Sequence, residues 1–133
     1  MESKMNYYFT KVINKPFDTA VDYVIEQLKT EGFGVLTEID VKATLKKKLD
    51  VDFRNYKILG ACNPPFAYKA LQAERMIGAM LPCNVIVQDT DEKGKTEVSA
   101  IDPIASMQAV ENASLGDVVV AVQEKLKKVI DNL

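Results

Sequence analysis

VIVQDTDEKGKTEVSAI, residues 85–101, is the stretch of this sequence that decides the fold. A strand begins at Val85, and a return strand covers residues 95–101. Between them, residues 91–94 have the Asp and Gly content of a tight turn. Because a short turn joins neighbouring strands in opposite directions, this segment predicts an antiparallel hairpin.

Three more strands are predicted upstream of the hairpin, over residues 7–13, 33–41 and 56–62. The first is rich in aromatic and β-branched residues, and the third is mostly apolar. The second alternates, which predicts one buried and one solvent-facing side. Its expected buried face comprises Phe33, Val35, Ile39 and Val41, and its expected exposed face comprises Glu38 and Asp40.

Apolar residues recur at helical spacing in two long segments, one ending at Gly32 and one following the Ser114–Asp117 capping pair. Another helix is predicted over residues 66–75 after the Asn63-Pro64 start signal, and a short surface helix near residues 41–49. Strands and helices do not alternate regularly. The order predicts an α+β fold with a mainly antiparallel sheet of about five strands and helices on one face.

Length and composition are those of an ordinary globular domain. The chain has 133 residues, a net charge of −2 and 47% hydrophobic residues. We expect a disordered or extended segment over residues 1–6 and a single domain over residues 7–133. The slightly acidic balance argues against nucleic acid as a partner, because phosphate binding favours a basic surface.

Several other classes are disfavoured by what the sequence lacks. It contains no run of apolar residues long enough to cross a bilayer, and we see no secretory signal, so we expect a cytoplasmic protein without a membrane partner. Its two cysteines are then expected to be thiols. Histidine is absent, which removes His-based triads, general bases and metal ligands.

Two cysteine-asparagine pairs carry the chemistry that remains. Cys62-Asn63 closes one predicted strand, and Pro82-Cys83-Asn84 opens the next. Antiparallel neighbouring strands would bring both cysteines to the same end of the sheet, whereas parallel strands would place them at opposite ends. Paired thiolates suit a soft metal such as Cu(I) or a reversible disulfide, and buried thiols simply pack.

Other side chains offer weaker signals for a site. Asn63 and Asn84 either point amides into a cleft or tie turns. The acids Glu38, Asp40 and Asp102 suit acid–base work or a solvated surface. An apolar pocket, or ordinary core packing, is expected around a further set: Phe66, Met76, Met80 and Leu81.

Four sequence blocks together resemble the domain-of-unknown-function family 302. They are GFGVLTEIDV at residues 32–41, ILGACNP at 58–64, LPCNV at 81–85 and IDP at 101–103. The resemblance implies an α+β fold similar to the TATA-binding-protein-like β-α-β4-α arrangement, often as a homodimer. It implies no catalytic residue, but these residues match the family's blocks: Cys62, Asn63, Pro64, Pro82, Cys83, Asn84, Asp102 and Pro103.

The sequence therefore favours a homodimeric module that binds a small molecule, or less readily a soft metal at Cys62 and Cys83. The expected ligand-binding residues are Cys62, Asn63, Pro64, Pro82, Cys83, Asn84 and Asp102. An enzyme that uses cysteine or carboxylate chemistry is one alternative, and a protein-interaction domain is another. No residue pattern names a cofactor.

Overall fold

The computed structural model describes residues 6–133, so residues 1–5 of the predicted N-terminal segment lie outside the described residues. Five strands form the sheet: β1 (Tyr8–Ile13), β2 (Gly34–Asp40), β3 (Tyr56–Cys62), β4 (Cys83–Asp89) and β5 (Thr96–Ile101). The α-helices are α1 (Phe17–Thr30), α2 (Val41–Leu49), α3 (Pro64–Ala73), α4 (Pro103–Ser106) and α5 (Gly116–Asp131). Two 3₁₀ segments, Arg75–Met80 and Ala113–Leu115, complete the described elements.

The strand order across the sheet is β1-β5-β4-β3-β2, and every neighbouring pair is antiparallel. Strands β2 to β5 therefore form a meander, and β1 adds to it beside β5. Because β1 and β2 occupy opposite edges, α1 carries the chain across the whole sheet. The predicted α+β class and five-stranded antiparallel sheet are confirmed, whereas the likeness to the TATA-binding-protein arrangement stays a prediction.

Helices α1 and α5 cover one face of the sheet and form the main hydrophobic cluster with it. Their apolar stripes are buried because residues three and four apart share a helix face. The fully buried members of this cluster include Val24, Leu28, Leu59, Val85, Val87, Val98 and Leu126. A second, smaller cluster centres on Ala70, Ile77 and Leu115 and joins α3 to the N-terminal end of α5.

A β-bulge in β2 overturns the predicted alternation of residues 33–41. The register shifts between Val35 and Thr37, so Val35 pairs with Ala61 on the helix-covered face while Ile39 pairs with Ile58 on the other. A bulge adds one residue to one strand, and every later side chain then changes face. Ile39 is accordingly 49% exposed, although its position in the sequence predicts burial with Val35.

Two smaller predictions also differ from the structure. Residues 76–81, which the sequence predicts to form a buried or half-buried loop because Gly78 and Pro82 interrupt the apolar run, lie mostly within the 3₁₀ segment. The Ser114–Asp117 capping box does not form, because the side chain of Asn112 caps the 3₁₀ turn that precedes α5. Both changes bring polar caps to the second cluster and help to hold it against α5.

Candidate apolar binding site

A cavity of about 270 Å³ lies where the two hydrophobic clusters meet. Its walls come from the adjacent ends of β3 and β4, from α3, and from one face of α5. Two lining residues, Leu36 at 69% and Leu71 at 47% exposed, mark its open rim. The complete lining is Phe33, Leu36, Ala61, Cys62, Asn63, Phe66, Ala67, Ala70, Leu71, Leu81, Pro82, Cys83, Pro103, Met107, Leu115, Val118, Val119 and Val122.

Antiparallel pairing brings the two cysteine blocks together at this cavity. Ala61 pairs with Cys83, so Cys62 at the end of β3 and Cys83 at the start of β4 occupy the same end of the sheet. Helix α3 and the 3₁₀ segment leave and return to the sheet at that end. Both cysteines are free thiols, and both line the cavity.

The environment of Cys83 favours its neutral form. Burial raises the pKa of the Cys83 thiol to about 11, and the nearby Cys62 thiol adds to this rise. A thiolate is the form that attacks electrophiles and binds soft metals. At neutral pH the Cys83 side chain is therefore a small, weakly polar part of the wall.

Asn63 occupies the N-cap position of α3, yet its side chain makes no capping hydrogen bond. Instead its Nδ2 donates to the backbone carbonyl of Glu31 at 3.0 Å. Asn63 is only 8% exposed and packs beside Gly32, whose left-handed φ of 86° turns the chain from α1 into β2. The predicted tie between a Cys-Asn block and a turn therefore connects the cavity wall to the α1–β2 corner.

Three of the expected ligand-binding residues lie away from the cavity lining. Asn84 pairs with Gly60 and lines a separate concavity on the open face of the sheet. Asp102 caps α4 by accepting from the backbone N–H of Ile104, and it also accepts from Nε2 of Gln123. Pro64 is exposed at the start of α3, outside the cavity lining.

Most of the cavity wall was not anticipated as a site. Of the apolar set predicted from sequence, Phe66 and Leu81 line the cavity, but Met76 and Met80 do not. The α5 residues Val118, Val119 and Val122 belong to the apolar stripe of the predicted C-terminal helix, which indicates only a face packed against the core. The width of this apolar stripe around the helix was the available signal, because a wide stripe can contact more than one structural element.

A cluster of three or more metal ligands is absent from the described part of the chain. Residues 6–133 hold no group of three or more Cys, Asp or Glu side chains arranged to bind an ion. Glu38 accepts an ion-pair hydrogen bond from Nζ of Lys57 at 3.0 Å, and this hydrogen bond raises the pKa of Lys57. The carboxylates near the strand ends are thus engaged in pairing and capping.

Comparison with known proteins places this fold in a family. A model of the family described as "Domain of unknown function DUF302" matches residues 9–133, and the chain belongs to that family. It is similar to a solved structure described as the crystal structure of uncharacterized conserved protein DUF302 from Bacillus stearothermophilus. That similarity has 26% identity and a TM-score of 0.85, and it covers 94% of this chain and 96% of the other.

No curated protein matches the chain. Over residues 6–133, every helix is too short or too polar to cross a bilayer. The match to the family model establishes the family. The similar solved structure is described as uncharacterized, so it provides no activity to compare with this chain.

Proposed function

We propose that this protein binds a small, uncharged, apolar molecule in the cavity between α3 and α5. The observation that carries the proposal is the lining, which includes no charged side chain and only one carboxamide, that of Asn63. Ligand sites are typically concave and mostly apolar, with few polar groups. An engineered apolar cavity of about 150 Å³ binds benzene, so the volume here, about 270 Å³, suits a two-ring or branched skeleton.

The same geometry makes the soft-metal and nucleophilic alternatives weaker. A metal would have to draw a proton from Cys83, whose pKa of about 11 opposes ionisation. A covalent mechanism needs an activated thiolate and a nearby base, and no histidine exists in the sequence. An apolar ligand, by contrast, can bind without ionisation or activation of either thiol.

Filling the cavity should abolish binding. Ala67 lies on α3 in the cavity wall, so Ala67→Phe would place an aromatic ring in the space meant for the ligand. We expect naphthalene, followed by its fluorescence, to bind at least about tenfold more weakly to this variant, since the lost burial removes hydrophobic contact. Ala43→Phe is the matched control, because Ala43 is exposed on α2.

Equal binding by the wild type and both variants would place the probe elsewhere and contradict the proposal. So would a wild-type protein that does not bind naphthalene at all. Circular dichroism of each variant shows whether the fold is kept, and a wild-type result alone already decides the second outcome.

We also propose that the protein is a homodimer formed through the open face of the sheet. Ile39, Ile58 and Ile86 stand opposite one another across β2, β3 and β4 on this face. In the adjoining row, Arg54 donates from Nε to Gln88, which in turn pairs with Glu97. Arg54 and Glu97 thus bring opposite charges to one row of this face, which suits a self-complementary contact between two copies.

Native mass spectrometry of freshly purified protein tests the dimer. The wild type should have twice the mass of the 14.8 kDa chain. Ile86→Lys should give monomers, because it places a charge within the apolar row. Val120→Lys, on the exposed side of α5, should leave the dimer intact. A monomeric wild type, or dimers in both variants, would refute this interface.

A cytoplasmic location is a further part of the proposal. Both cysteines are free thiols, and they line one cavity without forming a disulfide. Thiols persist where glutathione and thioredoxin keep the compartment reducing. Fractionation of cells that express the tagged protein should recover it in the cytoplasmic fraction, and recovery in another fraction would contradict this location.

A further inference from the structure

The carboxamide of Asn63 has a fixed orientation. Its Nδ2 donates to the carbonyl oxygen of Glu31, and an oxygen placed there instead would face another acceptor. The nitrogen therefore makes the hydrogen bond at the α1–β2 corner, and Oδ1 is the other branch of the carboxamide. The cavity wall thus contains one strong hydrogen-bond acceptor whose direction is set by the fold.

That acceptor is not used by the protein over residues 6–133. No described group donates to Oδ1, and the backbone N–H groups at the start of α3 are not capped by it. No fully buried side-chain nitrogen or oxygen in this part of the chain lacks a partner. Oδ1 therefore keeps access to open space, and Asn63, which is only 8% exposed, is one of the residues that line the cavity.

We infer that the ligand is a hydrocarbon skeleton carrying a single hydrogen-bond donor, such as an alcohol or a phenol, which donates to Oδ1 of Asn63. This inference rests on the proposed function and names the ligand class for the same site. A carboxylate or phosphate would face an unpaired acceptor and no cation, and an ammonium ion would find no carboxylate in the lining. The thiols of Cys62 and Cys83 are weak hydrogen-bond partners by comparison.

Three naphthalene probes separate the two claims. Naphthalene supplies the skeleton alone, 2-methoxynaphthalene adds an acceptor, and 2-naphthol adds a donor. Wild-type protein should bind 2-naphthol about three- to tenfold more tightly than 2-methoxynaphthalene, which is the range for a neutral hydrogen bond. In Asn63→Leu, which keeps the side-chain size but removes the oxygen, that preference should fall to about onefold.

Each outcome decides a claim. If naphthalene binds and 2-naphthol has no advantage over 2-methoxynaphthalene in the wild type, the donor inference is overturned and the apolar site stands. If none of the three binds, both claims fail. An advantage that persists in a folded Asn63→Leu protein would assign the hydrogen bond to another group, and the inference would again be wrong.

Discussion

Between pH 9 and 10, the rate at which iodoacetamide alkylates Cys83 should still rise nearly tenfold. Burial holds the pKa of this thiol near 11, compared with an ordinary value of 9.0, so the thiolate fraction grows with pH throughout that interval. The thiolate fraction of an ordinary thiol rises less than about twofold there, because half of it is already ionised at pH 9. At pH 7.5 the thiolate fraction of Cys83 should be about 100-fold below that of an ordinary thiol.

The measurement follows alkylation at Cys83 in the wild-type protein by peptide mass spectrometry, so that Cys62 keeps its contribution to the pKa, with glutathione as the reference thiol. The absolute rate at pH 7.5 should be only about tenfold slower than the reference, because a more basic thiolate is also more nucleophilic. A rate curve that levels off near pH 9 would show an ordinary thiol and would reopen the metal and nucleophile alternatives.

The same pKa has a consequence for stability. The folded state favours the neutral thiol more than the unfolded state does, since the pKa rises from 9.0 to about 11 on folding. This contribution to the free energy of unfolding is fully present below pH 9, and it is lost as the pH rises towards 11. Cys83→Ala should remove this part of the pH dependence.

Phe33→Ala should lower the free energy of unfolding by about 3–5 kcal/mol, the range for removing a buried aromatic ring. Phe33 is only 2% exposed and belongs to the main cluster, and it also forms part of the cavity wall. Loss of the ring would enlarge the cavity, and the surrounding side chains would have to fill the volume of the ring as well as that of the cavity. Urea unfolding followed by circular dichroism measures the change.

Leu36→Ala is the matched comparison, because Leu36 lines the same cavity three residues later but is 69% exposed. Its stability cost should stay below about 1 kcal/mol, since little surface leaves water there on folding. Similar costs at the two positions would mean that the rim is as tightly packed as the core, which would contradict an open cavity.

The sheet was largely predictable from sequence because local signals determine it. The turn at residues 91–94 predicts an antiparallel hairpin, and the apolar runs predict its neighbours. The bulge at Leu36 was not predictable, because residues 33–41 already alternate well enough to suggest a regular strand. The extra residue is fixed by pairing with β3, which is a tertiary contact.

The site was predictable only in part, for a related reason. Cys62 and Cys83 share the cavity because antiparallel pairing returns the chain to one end of the sheet. Asn84 follows Cys83 within a strand, so alternation alone would have assigned it to the opposite face. The empty volume itself depends on how closely two apolar clusters meet, and no periodicity in the sequence reports that distance.

The extra residue in β2 also allows the cavity rim and the open face of the sheet to change independently during evolution. Leu36 contributes to the rim of the cavity, while the pairs that follow it, including Ile39 with Ile58, belong to the open face of the sheet. A deletion of Leu36 would remove the bulge, trim the entrance and leave the downstream pairing unchanged. Relatives that differ in length here could therefore vary the entrance of the cavity without changing the opposite face of the sheet.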